Sequence, residues 1–344
     1  MRAMVMAAGA GTRLHPLTLS LPKPMVPIAN RPVLEYTLEN LRRHGVTEVM
    51  LNLHSHPRKI RSYFKDGKRW GVRIRYSQEP ELLGTAGGVK KAAAFLKGGT
   101  FLVMSGDGLT DIDLTALADF HKKNRAQATI ALKSVDSRLE YGVTLTDRKG
   151  RVTRFIEKPR WSDVFSSQVN TGIYVMEPSM LSKIPAKKVC DFGSELWPRL
   201  LKEGGRMYGY PVGHYWCDVG NFSEYRRAQK DILDGKIGLF FPGRMIRPRI
   251  WVDESAAIGR GVTLEAPCLI GKNSRIGQGT RIGAYTVIGT HARIGRNTVL
   301  NNCTLWNNVT VDNRVHLANC IIGHNARVTE SISVHEGIVI DINR

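Results

Sequence analysis

The feature that most constrains the fold is a six-residue repeat in the last third of the chain. Aliphatic residues recur at every sixth position from Ile258 to Leu300, and the repeat slips by one residue after Leu300 and again at Ile322. Glycine directly follows most of these aliphatic residues. Neither an α-helix nor an alternating strand has a period of six. The repeat therefore predicts a parallel β-helix of hexapeptide units, with the aliphatic side chains from Ile258 to Val328 pointing inward.

The sequence before the repeat has a different pattern, in which apolar strand-like runs alternate with helical periods. It predicts strands over 49–53, 101–104 and 128–135, helices over 34–41, 89–96, 114–124 and 221–234, and a hairpin with its turn at 147–150. Such alternation favours an α/β fold with a mainly parallel sheet and helices on both faces. The stretch 242–248 is bounded by prolines and contains glycine, so we expect an α/β domain over 1–241 and a linker with the β-helix over 242–344.

Composition excludes several classes of protein. The 344 residues carry a formal net charge of +20, which would favour nucleic acid or anionic metabolites as partners. The basic residues are dispersed along the chain, which argues against nucleic acid, and phosphorylated small molecules fit the charge at least as well. We expect no membrane span, because no apolar run approaches the length that crosses a bilayer. The five cysteines are scattered, and the first residues read as a strand and not as a secretory signal, which predicts a cytoplasmic protein with reduced thiols.

A glycine-rich turn follows the first predicted strand, in the sequence Met6-Ala-Ala-Gly-Ala-Gly-Thr-Arg-Leu14. Glycines allow backbone N–H groups to approach a phosphate closely. The spacing is neither that of the phosphate-binding loop of P-loop proteins nor that of dinucleotide-binding folds. Arg13 and Lys23 would add a bidentate donor and a compact cation, and both suit a triphosphate.

Aspartates close two of the predicted strands. Asp107 follows the strand 101–104, and Asp218 follows the aromatic pair Tyr215-Trp216. In open α/β sheets ligands bind at the carboxyl ends of the strands. Two carboxylates that converge there suit Mg²⁺, which prefers oxygen ligands.

These segments resemble the signature of the sugar-1-phosphate nucleotidyltransferases. The motifs occur in the order expected for that family: Ala7-Ala-Gly-Ala-Gly-Thr-Arg-Leu14, Pro22-Lys-Pro-Met25, Leu83-Gly-Thr-Ala-Gly87, Gly106-Asp107, Tyr141-Gly-Val143, Phe155-Ile-Glu-Lys-Pro159, Asn170-Thr-Gly-Ile-Tyr174 and Trp216-Cys-Asp-Val-Gly-Asn221. Many family members also carry a C-terminal left-handed β-helix. The resemblance implies a Rossmann-like catalytic domain over 1–241. Within the family, the run from Gly84 to Gly87 looks most like that of mannose-1-phosphate guanylyltransferases.

The resemblance also implies roles for individual residues. Arg13, Lys23, Asp107 and Asp218 would be catalytic, and both aspartates would hold Mg²⁺. The nucleotide would contact Ala8, Gly9, Gly11, Thr12, Arg13, Leu83, Gly84 and Thr85. The sugar phosphate would contact Gly142, Glu157, Lys158, Asn170, Thr171 and Gly172. We expect Pro159 to hold Lys158 extended, the sugar to lie against the bare backbone of Gly142 and Gly172, and Gly108 to loosen the loop after Asp107.

The reaction implied is transfer of a nucleoside monophosphate from an NTP to a sugar 1-phosphate with release of pyrophosphate. GTP and mannose 1-phosphate are the expected substrates, and a glucose-1-phosphate thymidylyl- or uridylyltransferase is the alternative. A bifunctional acyltransferase is less favoured because only about 85 residues of β-helix are present. The intact set of basic and acidic motif residues argues against a non-catalytic regulatory subunit. The flat sides of the β-helix predict a homo-oligomer.

Overall fold

The structure is a computed structural model that describes residues 1–135, 139–238 and 243–341. Its α-helices are α1 (Val33–Arg43), α2 (Pro57–Phe64), α3 (Gly84–Lys91), α4 (Ala93–Leu96), α5 (Leu114–Lys123), α6 (Met180–Lys183), α7 (Trp197–Lys202) and α8 (Phe222–Leu233). The strands before the repeat are β1 (Arg2–Met6), β2 (Pro27–Ile28), β3 (Arg31–Pro32), β4 (Glu48–Leu53), β5 (Arg73–Gln78), β6 (Phe101–Ser105), β7 (Gly108–Thr110), β8 (Ala128–Ser134), β9 (Gly142–Thr146), β10 (Val152–Glu157), β11 (Gln168–Met176), β12 (Met207–Pro211) and β13 (Trp216–Asp218).

The main sheet of the α/β region combines a parallel half with an antiparallel half. Strands β6, β1, β4 and β5 are neighbours and run parallel, as the alternation of strands and helices predicts. Strand β11 is antiparallel to β6, β8 and β9, and β10 is antiparallel to β9. The strands predicted over 49–53, 101–104 and 128–135 are confirmed as β4, β6 and β8. The four parallel strands bring their carboxyl ends to one edge of the sheet, where the site residues lie.

The helices follow the apolar periods with one exception. Helix α8 begins after Asn221, whose side chain accepts a hydrogen bond from the Glu224 N–H at 2.9 Å, as a helix N-cap does. The helix predicted over 89–96 is divided into α3 and α4, because Ala92 has φ −84° and ψ 8° and leaves the helical region.

Short strands of the C-terminal region stack in parallel, as in a β-helix. Before them β14 (Arg244–Arg247) pairs antiparallel with β15 (Ile250–Val252). The parallel strands are β15, β16 (Ala257–Ile258), β17 (Thr263–Leu264), β18 (Cys268–Ile270), β19 (Arg275–Ile276), β20 (Arg281–Ile282), β21 (Thr286–Ile288), β22 (Arg293–Ile294), β23 (Val299–Asn301), β24 (Thr304–Leu305), β25 (Thr310–Val311), β26 (His316–Ala318), β27 (Ile321–Ile322), β28 (Arg327–Val328), β29 (Ser333–His335) and β30 (Ile338–Val339). Ile270 pairs with Ile288, 18 residues on, but Ile288 pairs with Leu305, 17 residues on. The slip predicted after Leu300 is therefore a coil shortened by one residue.

The interior of the β-helix explains the composition of its repeat. Most of the repeat aliphatics are buried, but Ile258 is 40% exposed, so the prediction that it fills the interior is wrong. Ile258 lies in β16, the first strand of its row, which pairs with β19; within the described residues no strand pairs with its other edge. A Cβ on Gly277 would lie only 2.6 Å from the backbone carbon of Gly295 in the next coil. Glycine is thus needed because the coils stack closely. Inside the corner, the buried Ser274 hydroxyl donates to the Gly289 carbonyl at 2.7 Å.

The chain forms two compact units that are interleaved in sequence. The first comprises Met1–Ala10, Pro22–Pro24 and Val33–Asp218, and the second comprises Gly11–Leu21, Met25–Pro32 and Val219–Arg344. The boundary predicted at 241/242 lies outside the described residues, and helix α8, which precedes it, is part of the second unit. Among the described helices none is long and apolar enough to cross a membrane. All five cysteines lie in the described ranges and are buried, and no disulfide joins them.

Candidate active site

A buried lysine lies between the two aspartates that the sequence analysis singled out. Lys23 Nζ is 3.2 Å from Asp218 Oδ1 and forms a closer ion pair with Asp107 Oδ2. The ammonium group is at the end of a side chain that is 9% exposed, while the two carboxylate side chains are 20% and 22% exposed. The structure therefore brings Lys23, Asp107 and Asp218 together at one point of the first unit.

The electrostatics of this triad keep Lys23 and Asp107 charged. Burial by itself would lower the pKa of Lys23, but the charges of Asp107 and Asp218 outweigh it, so the pKa of Lys23 is raised above its ordinary value of 10.5. Burial by itself would raise the pKa of Asp107, but the Lys23 ammonium and a hydrogen bond from the Ser105 hydroxyl lower it below 3.8. The site thus holds a cation and a carboxylate charged over the whole neutral range.

Short strands fix the two aspartates. Asp218 ends β13, which pairs with β7 so that Gly108 lies directly opposite Asp218. Gly108 is therefore held in a ladder, and the prediction that it loosens a loop is wrong. The Trp216 indole N–H donates to the Thr171 carbonyl at 3.1 Å, which links β13 to β11.

The glycine-rich turn leaves open space beside its first glycine. No heavy atom of the described chain beyond its neighbours lies within 4 Å of where a Cβ on Gly9 would be, whereas Ala8 beside it is buried. Gly11 has φ 67°, a left-handed conformation that favours glycine, and begins the one-turn 3₁₀ helix Thr12–Leu14. Thr12 and Arg13 are exposed on this turn.

The loop from Leu83 to Thr85 is held by a second segment of the first unit. The Thr85 backbone N–H and hydroxyl both donate to Asp191 Oδ1 at 2.9 Å, and the Thr85 hydroxyl accepts from the Phe192 N–H at 2.9 Å. Gly84 has φ 75°, and a Cβ there would collide with the Cys190 carbonyl. The predicted nucleotide residues Leu83, Gly84 and Thr85 therefore lie on a braced loop at the start of α3.

Sequence analysis missed a relay of buried polar groups that joins the glycine-rich turn to this loop. The Ala7 N–H donates to Asn52 Oδ1 at 2.7 Å, Asn52 Nδ2 donates to Glu79 Oε1 at 2.8 Å, and the Leu83 N–H donates to Glu79 Oε2 at 3.2 Å. Asn52 and Glu79 are only 3% and 2% exposed. The relay crosses the carboxyl ends of β1, β4 and β5. A buried asparagine in the apolar run of β4 was the signal that could have revealed it.

Two glycines and a glutamate of the predicted sugar-phosphate set differ in how open their surroundings are. The Glu157 and Phe155 side chains cover the space where Gly142 would carry a Cβ, so Gly142 does not offer bare backbone to a sugar. Burial raises the pKa of Glu157, and the charge of Lys158 opposes the shift. Gly172, with φ 74°, packs beside Ser105, next to Asp107.

Two polar residues of the predicted sugar-phosphate set, Lys158 and Thr171, differ from expectation in their local geometry, and a third, Asn170, is held by two hydrogen bonds. Lys158 has φ 44°, in the left-handed region, so the prediction of an extended backbone before Pro159 is wrong; its N–H donates to the Tyr141 carbonyl at 3.1 Å, and this turn overrides the usual preference. The Thr171 hydroxyl points into the protein and donates to the Ala131 carbonyl at 2.8 Å. Asn170 accepts from the Gly172 N–H at 2.9 Å and donates to the Tyr174 hydroxyl at 3.0 Å.

The donor set at the triad fits a magnesium ion. Asp107 and Asp218 already share one cation, the Lys23 ammonium, and Mg²⁺ sites that also engage substrate phosphates use one or two carboxylates. Among the described residues no cluster of three or more His, Cys, Asp or Glu side chains could hold a metal on protein ligands alone. The site therefore suits an ion that keeps positions for phosphate oxygens and water.

Comparison with known proteins agrees with this geometry. The family model "Nucleotidyl transferase" matches residues 2–235, and the model "EIF2B subunit epsilon LbH domain" matches residues 247–343. A UTP–glucose-1-phosphate uridylyltransferase of Synechocystis sp. is 38% identical over 291 residues, which cover 80% of this chain and 75% of the relative. A mannose-1-phosphate guanylyltransferase of Mycobacterium tuberculosis is 36% identical over 80% of this chain and 76% of the relative.

Solved structures share the fold. A putative glucose-1-phosphate thymidylyltransferase from Bacillus anthracis has a TM-score of 0.61 and 22% identity, over 67% of this chain and 94% of that one. HddC from Yersinia pseudotuberculosis, solved in complex with GMP-PN, has a TM-score of 0.59 and 25% identity, over 67% of this chain and 99% of that one. The chain belongs to the nucleotidyl transferase family, as a sugar-1-phosphate nucleotidyltransferase with a C-terminal LbH domain.

Proposed function

We propose that the chain transfers GMP from GTP to mannose 1-phosphate, giving GDP-mannose and pyrophosphate. A phosphate oxygen of mannose 1-phosphate attacks the α-phosphorus of GTP, and the bond from that phosphorus to the bridging oxygen of the β-phosphate breaks. No protein nucleophile is needed, because the attacking oxygen belongs to the substrate. The guanylyltransferase relatives and the GMP-PN complex of HddC support guanosine and mannose as the substrate pair.

The observation that carries the nucleotidyl transfer in this proposal, whichever base and sugar are used, is the Lys23 ammonium held between Asp107 and Asp218. Two polyanionic substrates must meet at the reacting phosphorus, so positive charge supplied there lowers the barrier. One ammonium between two carboxylates leaves the triad with a net charge of −1, so a metal cation would have to add to the charge of Lys23. Family members generally use a divalent metal. Asp107 and Asp218 would hold Mg²⁺, which when bound neutralises charge on the phosphates.

The remaining predicted residues take supporting roles in this proposal. Arg13, on the exposed 3₁₀ turn, binds the triphosphate together with the backbone around Gly9 and Gly11. The braced loop of Leu83 to Thr85 flanks the base. Glu157, Lys158 and Asn170 bind the sugar phosphate, with Lys158 contacting its phosphate. We leave Thr171 out of this set, because its hydroxyl already donates to the Ala131 carbonyl.

A uridylyltransferase acting on glucose 1-phosphate is the second candidate. The Synechocystis relative, at 38% identity, carries that name and favours it. Base and sugar are read largely through backbone groups and pocket shape, so the triad serves either pair equally well.

Pyrophosphate release, measured with each pairing of four NTPs and mannose or glucose 1-phosphate, tests the proposal. We expect the highest kcat/KM for GTP with mannose 1-phosphate, and loss of the signal in Asp218→Asn purified in the same way. A preference for UTP and glucose 1-phosphate would establish the second candidate. No pyrophosphate from any pair would refute both.

A further inference from the structure

A small hairpin, four residues after Lys23, has a strained turn. Strands β2 and β3 pair antiparallel, and the two residues between them, Ala29 and Asn30, have φ 45° and 66°. Positive φ at both central positions is the conformation of a type I′ turn, in which asparagine and glycine are favoured and alanine is not. Ala29 is fully buried. A conformation of this kind persists only where surrounding contacts enforce it.

Helix α8 supplies several of these contacts. The Ala29 N–H donates to Gln229 Oε1 at 2.9 Å, and Gln229 Nε2 donates to the Pro27 carbonyl at 3.1 Å. The Tyr225 hydroxyl donates to the same carbonyl at 3.0 Å. Tyr225 and Gln229 are one helical turn apart, so one face of α8 holds the first strand of the hairpin and the first residue of its turn.

The β-helix supplies the rest. The Trp306 indole N–H donates to the Tyr225 hydroxyl at 2.9 Å, and Asn30 Nδ2 donates to the Ile288 carbonyl at 2.7 Å. Ile288 and Trp306 belong to neighbouring coils, whose strands β21 and β24 pair. Burial raises the pKa of Tyr225, so its hydroxyl stays protonated and able to donate. Tyr225, Gln229 and Trp306 are 0%, 4% and 3% exposed, and their polar atoms are used in this cluster.

Two segments of this hydrogen-bonded cluster lie close in sequence to Lys23 and to Asp218 of the triad. Lys23 precedes Pro27 by four residues, and Asp218 precedes Tyr225 by seven. Both segments that leave the triad are therefore tied to each other by hydrogen bonds, and both are tied to the β-helix. If Pro27 or Tyr225 could move, the few residues that connect them to Lys23 and Asp218 would allow the Lys23–Asp218 contact to shift. Small displacements of a catalytic group lower the reaction rate.

We propose that Trp306 of the β-helix is a positioning residue for nucleotidyl transfer, which acts through Tyr225 and Pro27 on Lys23. The inference rests on the function proposed above, since it assigns Lys23 to that reaction. It makes the β-helix a working part of the catalytic machinery. The expectation from sequence was that the repeats carry assembly and leave the chemistry to the other domain.

The test compares two full-length variants that each remove one hydrogen bond between the β-helix and α8. Trp306→Phe removes the indole donor to Tyr225 and keeps a ring in place. Tyr285→Phe removes the hydroxyl that lies 3.2 Å from Asp234 Oδ1, at the far end of α8 from the hairpin. We expect Trp306→Phe to lower kcat by roughly two- to tenfold, as loss of one net hydrogen bond would, with KM for both substrates little changed. Tyr285→Phe should keep the wild-type kcat.

Coupling to Lys23 is measured by repeating both changes in a Lys23→Met background. There Trp306→Phe should lower kcat no further, because the group that it positions is gone. An undiminished loss in that background, or an equal loss in Tyr285→Phe, would overturn the positioning role and leave only general stabilisation.

Hydrogen exchange supplies a readout that needs no substrate. We expect the Ala29 amide to exchange roughly two- to tenfold faster in Trp306→Phe and at the wild-type rate in Tyr285→Phe. An unchanged Ala29 rate in Trp306→Phe would overturn the inference whatever the kinetics. A wild-type enzyme that releases no pyrophosphate would instead overturn the proposed function, so the two failures are distinct.

Discussion

Replacement of Lys23 by methionine tests the electrostatic core of the site. The change keeps the length of the side chain and removes the ammonium that Asp107 and Asp218 share. At 3.2 Å and an effective dielectric constant of about 20, the attraction between Lys23 and Asp218 is about 5 kcal/mol before the cost of desolvation. Desolvation of the charges offsets much of it, and removing one partner of a buried pair costs about 3–5 kcal/mol. Because the carboxylates are 20% and 22% exposed, we place the loss of unfolding free energy near 3 kcal/mol.

The assay is urea denaturation of the full chain at pH 7 with EDTA present, followed by tryptophan fluorescence. Lys183→Met is the matched control, because Lys183 pairs with Glu203 at the surface, where the side chains are 32% and 44% exposed. Such pairs contribute about 0–1 kcal/mol. Added Mg²⁺ should stabilise Lys23→Met more than the wild type, since the two carboxylates then lack their cation.

The pH dependence follows from the directions of the pKa shifts. The raised pKa of Lys23 gives stability that is present below pH 10.5 and is lost as the pH rises through the higher folded value. The lowered pKa of Asp107 gives stability that is present above pH 3.8 and is lost as the pH falls further. The difference between wild type and Lys23→Met should therefore be largest between these limits and shrink below pH 3.8. A Lys23→Met cost no larger than that of Lys183→Met at pH 7 would refute the reasoning.

The other predictions concern the remaining site residues and the assembly. Asp107→Asn and Asp218→Asn should each lower pyrophosphate release by about two to four orders of magnitude with the circular dichroism unchanged, and more than half the wild-type rate at saturating Mg²⁺ would show that the residue is no ligand. Lys158→Ala should raise KM chiefly for the sugar 1-phosphate and Arg13→Ala chiefly for the NTP; equal effects on both substrates would contradict that division. Thr171→Val should lose about 1–3 kcal/mol of unfolding free energy by leaving the buried Ala131 carbonyl without its donor, while KM for the sugar phosphate stays constant. Light scattering should give a mass above that of one chain, and a monomer would contradict the expected self-association through the β-helix.

Local periodicity was enough to predict much of the architecture. The six-residue period produced the coils, including the shortened coil after Leu300, because each coil contacts its neighbours at a fixed sequence distance. The N-cap at Asn221 follows from the chemistry of a single side chain at the start of a helical period. The convergence of Asp107 and Asp218 was predicted because both residues follow the ends of predicted strands. The position of Lys23 between them was not predicted, since Lys23 was assigned to the triphosphate.

The features that were predicted wrongly or not predicted have a common physical origin: they depend on contacts between residues that are distant in sequence. The inward hydroxyl of Thr171 depends on its partner in β8, and the left-handed Lys158 depends on the Tyr141 carbonyl. The Asn52–Glu79 relay and the Gln229 contact with Ala29 join segments that no local period relates. Composition and spacing predict on which face of a helix or strand a side chain lies, but not which distant group it contacts.

The hydrogen bonds that hold the β2–β3 hairpin affect the order in which the chain folds during synthesis. Asn30 and its acceptor, the Ile288 carbonyl, are 258 residues apart. At ~5–20 residues per second, a ribosome needs roughly 13–50 s to deliver that acceptor after the hairpin is made. For the first 200 residues of this interval Ala29 lacks the Gln229 contact that holds its left-handed backbone. The coils, whose contacts span 17 or 18 residues, can form as they emerge. The β2–β3 hairpin, although it is made early, therefore completes its contacts only after the coil that contains Ile288 has been made.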